Sequence, residues 1–155
     1  MSKLLARSII GLGIFTLVFS LAAPSYAQGR YRGQRYTKSD VERIIKRVET
    51  RSDSFRKHVD DSLDNGVLDG TRAEDRINEQ IKDMEKALDE LRNEFDRRDD
   101  WLDVRENVVK VINQADEVNA IFRNRSLRAK VEAEWLVLKS DINRLAGIYN
   151  VRRLK

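Results

Sequence analysis

Cysteine is absent from the 155 residues. That excludes disulfides, zinc-thiolate sites, c-type haem attachment, a thiol nucleophile and a lipid-modified cysteine anchor. Proline occurs once, at Pro24, and glycine seven times. With so few chain breakers and so much Glu, Lys, Arg, Asp and Leu, the composition predicts long helices rather than sheets. Histidine also occurs once, at His58, so two Glu-x-x-His pairs for a di-metal bundle site cannot be assembled. One apolar run, Ile9 to Ala23, stands out, and it is shorter than the ~20 residues a spanning helix needs.

That run reads as an address. Lys3 and Arg7 precede it, Pro24 breaks it, and Ser25-Tyr26-Ala27 places small residues at the −3 and −1 positions of a cut between Ala27 and Gln28. This is the layout of a secretory signal peptide over residues 1–27. It predicts a periplasmic or secreted protein beginning at Gln28. Cleavage removes two bases and no acid, lowering the formal net charge from +4 to +2.

Residues 28–38 then form a basic arm with two glycines and no acid. Arg30, Tyr31, Arg32, Arg35, Tyr36 and Lys38 interleave cations with rings, the residue types that contact polyanions. The competing reading is a solvated linker after the cleavage site. If the arm binds anything, export favours anionic lipid headgroups or acidic polymers, and no nucleic acid is expected.

The rest of the chain is read from a joint, Asp64 to Glu74, with a heptad-patterned segment on each side. Ser39 and Glu42 have capping-box spacing and predict the start of a first helix over about 40–64. Its stripe is Val41, Ile45, Val48, Ser52, Phe55, Val59 and Ser62, widened by Ile44 and Leu63. Gly66 is placed as the left-handed glycine that stops it. Thr71 and Glu74 form a second capping box, opening a helix over about 71–97 with stripe Ile77, Ile81, Met84, Leu88, Leu91 and Phe95.

Beyond Phe95 the stripe changes phase, and Trp101, Val104, Val108, Val111, Ala115, Val118 and Phe122 begin a new one. A turn at 97–100, capped by Asp99 or Asp100, predicts a third helix over about 100–123. The alternative is one continuous helix from Thr71 to Phe122. Ser126 is placed as the cap of a fourth helix, about 127–148, with stripe Leu127, Val131, Trp135, Leu138, Ile142, Leu145 and Tyr149. Arg152, Arg153 and Lys155 make residues 152–155 a basic tail. The fold class expected is all-α: an up-down-up-down antiparallel four-helix bundle over 39–151. Opposite charges are expected to meet at its ends, the aspartates of the joint facing Arg123, Arg125 and Arg128.

Sites fare poorly. Asp61, Asp64, Asn65, Asp69 and Glu74 surround two glycines, but neither register of an EF-hand loop fits. Leu63 or Val67 falls at position 3 and Arg72 or Arg76 at position 12. An irregular hard-oxygen cation site there stays open. Ser54, His58 and Asp61 share one helix face, yet a triad needs an oxyanion hole and a pocket that such a face does not build. The aromatic residues sit on the stripes, as core residues do. No metal, cofactor or catalytic residue is expected, and the chain reads as non-enzymatic. It reads instead as a scaffold or stress-related binder in the bacterial envelope, acting on an envelope protein or a second copy of itself. The runs Val41-Glu42-Arg43-Ile44-Ile45, Glu49 to Arg56 and Leu68 to Asn78 resemble a group of uncharacterised exported bacterial proteins with a signal peptide and an all-helical mature region. The likeness is densest through the joint and runs on through Trp135 to Tyr149. It implies export and supplies no activity.

Overall fold

The computed structural model describes residues 36–124 and 127–155. The predicted signal peptide with its expected Ala27–Gln28 cleavage site, the arm residues Arg30, Tyr31, Arg32 and Arg35, and Arg125 and Ser126 lie outside the described residues. Among the described residues there are four helices: α1 (Lys38–Asp64), α2 (Arg72–Arg97), α3 (Arg105–Asn124) and α4 (Ala129–Ile148). A single 3-10 turn, Trp101–Val104, leads into α3, and no strand occurs among the described residues. Each helix packs against two others, so that α1 meets α2 and α4 while α3 meets α2 and α4.

The apolar stripes account for this packing. Every stripe position of the first two helices is buried, including Ser52 and Ser62. Val104 to Val118 and Val131 to Tyr149 bury the same way, while Trp101, Phe122 and Leu127 pack against the core from its edge. The phase change after Phe95 is a real break. The chain leaves α2 at Arg98 in extended backbone, and the Asp100 carboxylate accepts the Leu102 N–H at 2.9 Å. A continuous helix from Thr71 to Phe122 is therefore not formed.

Several predicted caps and boundaries change. The first helix is capped by Thr37, not Ser39: Thr37 Oγ1 accepts the Asp40 N–H at 3.1 Å, and Asp40 accepts the Thr37 N–H at 3.0 Å. That reciprocal box starts α1 one residue before Ser39, which lies inside the first turn, and it frees Glu42 to pair with Lys46 and Arg92. Asp at the third helical position serves as well as Glu, which is why the Ser39–Glu42 spacing was a decoy. These contacts, with the Arg43 pair, hold the Asp40 and Glu42 carboxyls below the usual range.

Gly66 does not adopt the left-handed conformation. Asn65 caps α1 with φ −103°, and the positive φ falls at Gly70, +68°. Gly66 is needed for space instead, since a Cβ there would lie 2.8 Å from the Ser62 carbonyl oxygen. Thr71 does cap α2, accepting the Glu74 N–H at 3.3 Å, while Glu74 reaches past it to the Gly70 N–H at 2.7 Å. At the fourth helix, Arg128 occupies the cap position without a side-chain cap bond, and Glu132 accepts the Leu127 N–H at 3.1 Å.

The tail changes as well. Residues 152–155 are not a free basic extension, because Leu154 is buried and its main chain is hydrogen-bonded to α4. The turn that sends the chain back is a Schellman stop: Asn150 has φ 51°, and the Val151 N–H reaches the Ala146 carbonyl at 2.8 Å.

The cap assignment is tested by two substitutions. Thr37→Ala should cost about 1 kcal/mol in chemical denaturation, the usual worth of an N-cap side chain. Ser39→Ala, on an exposed helical site, should change stability by less than about 0.5 kcal/mol. The reverse order would return the cap to Ser39.

Candidate functional surface

Where α1 meets α4, two part-buried polar contacts cross between the helices. Asp141 sits on the core side of α4, next to Ile142, and is buried, though less completely than its apolar neighbours. Its carboxylate is compensated from α1: Arg51 Nη1 donates to Oδ2, and Arg47 Nη1 stands 3.8 Å from Oδ1. Two turns away along both helices, Glu134 Oε2 accepts from His58 Nδ1 at 2.7 Å, and Lys130 Nζ lies 2.9 Å from His58 Nε2.

This ladder explains why the superficial triad fails. Ser54 Oγ donates to the Thr50 carbonyl at 3.1 Å, within its own helix. His58 turns across to α4 instead, and Asp61 is fully on the exposed side. Ser54 is therefore not aligned with the imidazole. No group of three or more His, Asp or Glu side chains among the described residues is arranged to hold a metal ion, the joint's aspartates included.

Beside the ladder runs a groove of about 320 Å³ lined by Arg51, Ser54, Lys130, Ala133, Glu134 and Val137. Its outer lip is apolar. Leu136 is 64% exposed and Val137 47%. Ala133, Leu136, Val137 and Ser140 fall at i, i+3, i+4 and i+7, so they form one ridge along the outside of α4. The seam therefore combines apolar area, cations at the rim and a preset polar floor.

The residues singled out for polyanion contact divide. Lys38 belongs to α1: its ammonium donates to the Arg98 carbonyl at 2.7 Å and stands 5.6 Å from the Phe95 ring centroid. Tyr36 is half-buried against the core. Both anchor the start of α1, so the described chain is already docked at Tyr36 rather than at Ser39. The expected ion pairing at the joint is also different. Arg128 donates to the Asn65 carbonyl at 3.2 Å, while Asp64 and Asp69 form no ion pair among the described residues.

Sequence reasoning missed Asp141, Glu134 and the α4 ridge. Asp141 follows Leu138 by three positions, inside the stripe that Ile142 and Leu145 continue, and a charge at such a position is the one signal that could have revealed it. The ridge carried a signal too: Leu136 and Val137 sit off the stripe, where an outer face is expected to be polar.

Comparison of the chain with protein-family models, with curated proteins and with solved structures returns no match in any of the three.

Two outcomes check the electrostatics. Asp141→Ala should cost about 1–2 kcal/mol, since it strands two guanidiniums that are themselves half-exposed. On the α1/α2 side, burial raises the Glu49 carboxyl above its ordinary value, and Asp89 and Asp53 add to the rise against the pull of Arg92. The raised folded-state value means that ionised Glu49 opposes folding, and that this opposition is relieved as pH falls through it. Glu49→Gln should therefore raise the melting temperature at pH 7, with the gain shrinking toward pH 4. An equal gain at both pH values would contradict the assignment.

Proposed function

We propose that this chain is an exported, non-enzymatic helical bundle of the bacterial envelope that acts by protein–protein contact through the α1/α4 face, as a scaffold or stress-related binder. The observation that carries the reading is the ridge of Leu136 and Val137 beside the 320 Å³ groove. Large apolar side chains at that exposure on an otherwise charged surface mark an interaction site when they adjoin a concavity. Val67 is more exposed still, but it lies on the joint and is not among the residues that line this groove.

The topology proposed is up-down-up-down. Cross-helix pairs support it: Glu42 meets Arg92 while Arg56, further along α1, meets Glu85, nearer the start of α2. Arg51 with Asp141 and His58 with Glu134 run the same way between α1 and α4. Export rests on the charged start, apolar run and Ser-Tyr-Ala cleavage signal of residues 1–27, with the mature chain beginning at Gln28 in the periplasm or outside the cell.

The test is crosslinking and capture of the tagged protein from intact envelopes, with the intact chain compared against Leu136→Lys/Val137→Glu. The native chain should retain a defined envelope protein, or a second copy of itself. The double variant, altered only on the exposed ridge, should keep its helicity and lose that capture. Equal capture by both, or none by the native chain, overturns the assignment to this face.

A further inference from the structure

The chain's last five residues are held as a bound peptide is held. They leave α4 through the left-handed Asn150 and turn back along α3 and α4. Asn143 then reads the main chain of a single residue twice: its Nδ2 donates to the Leu154 carbonyl at 3.1 Å, and its Oδ1 accepts the Leu154 N–H at 2.7 Å. One side-chain amide thus satisfies both backbone groups of an extended residue, whatever that residue's side chain. The Leu154 side chain is the specific part, 5% exposed and joined to the core.

The next residue is gripped as closely. Lys155 O accepts from Asn119 Nδ2 at 2.9 Å and from Lys139 Nζ at 2.6 Å. Asn119 is itself 2% exposed and fixed from the other side, its Oδ1 accepting from Trp135 Nε1 at 3.2 Å and from Lys139 at 3.1 Å. Upstream, Arg152 makes a rim contact with Asp116 at 3.1 Å.

We infer that the α3/α4 groove formed by Asn119, Lys139 and Asn143 is a recognition site for an extended peptide segment of a partner protein, filled in this state by the chain's own residues 151–155. The chemistry it reads is an apolar leucine-like side chain, the N–H and C=O of that residue, and the carbonyl of the residue after it. A base two positions before the leucine suits Asp116. A helical ligand would not fit, because its main-chain groups are already paired within the helix. The intramolecular tail acts as a competitor, so a ligand binds in proportion to the time the tail is out of the groove. This site is on a different face from the α4 ridge and does not depend on it.

The experiment uses the full mature chain and a fluorescently labelled peptide reproducing residues 149–155. Leu154→Asp should eject the tail while leaving the groove intact. Its affinity for the peptide, read by anisotropy, should be at least tenfold tighter than that of the native chain. Adding Asn143→Ala should remove the gain, as should a peptide with alanine in place of the leucine. No gain in a folded Leu154→Asp chain overturns the proposal. Should that variant unfold, the native chain still decides: excess peptide should speed hydrogen exchange at the Leu154 amide without speeding exchange in α2. An amide that exchanges only with global unfolding, indifferent to peptide, would make the tail purely structural. A concentration-dependent dimer that the peptide dissolves would give the groove to a second copy's tail and overturn the partner assignment.

Discussion

Trp135 is the contact on which the rest of this bundle depends. Its ring stacks on Phe122 of α3 with centroids 5.5 Å apart and planes 7° from parallel. Phe55 of α1 closes the group, 5.5 Å from Trp135 and 5.8 Å from Phe122. Three helices are thereby joined around one side chain that is 2% exposed. Truncating a side chain of that size in a core typically costs ~3–5 kcal/mol, a large share of what holds a domain folded. Because the indole also carries a donor, its burial demands a partner, and Asn119 is that partner. Asn119 in turn has a second amide face to satisfy, which it turns to Lys155 O. The aromatic core and the docked tail are thus consecutive consequences of burying one tryptophan.

A similar logic operates at the opposite edge of α4. Asp141 is buried because its position belongs to the apolar face, and its charge is tolerable only because α1 supplies Arg47 and Arg51. Such pairs add little net stability, but they favour one register of α1 against α4 over a shift by one turn. Near the α3 start, Tyr149 does comparable work: its hydroxyl donates to the Trp101 carbonyl at 2.8 Å, and burial pushes its ionisation above the ordinary range. The 3-10 turn is pinned there, edge-on to the Tyr149 ring at 5.6 Å.

What was legible in the sequence was whatever depends on residues near one another in the chain. The 4, 3, 4, 3 spacing of Val41 to Ser62 and of Ile77 to Phe95 fixes which faces bury, and the phase change after Phe95 marks the break before Trp101. Thr71 was legible as a cap for the same reason. Thr37 was missed because two overlapping capping signals start within three residues, and local spacing alone does not choose between them. Tyr36 and Lys38 break the tie through their contacts with the core and with Arg98, sixty positions away in the case of Lys38. The tail was misread on composition: three bases in four residues suggest a solvated end, and the single Leu154 among them carries the opposite message. The His58–Glu134 contact joins residues 76 positions apart and leaves no mark in either local stretch.

The central claim is that the docked tail is energetically coupled to the core through Trp135 and Asn119. A double-mutant cycle between Trp135→Phe and Leu154→Ala, measured by chemical denaturation, tests it most directly. Phenylalanine keeps most of the aromatic bulk and removes the indole donor. The account predicts a coupling energy above about 0.5 kcal/mol, the level at which sites cease to be independent. Strict additivity of the two substitutions would contradict it.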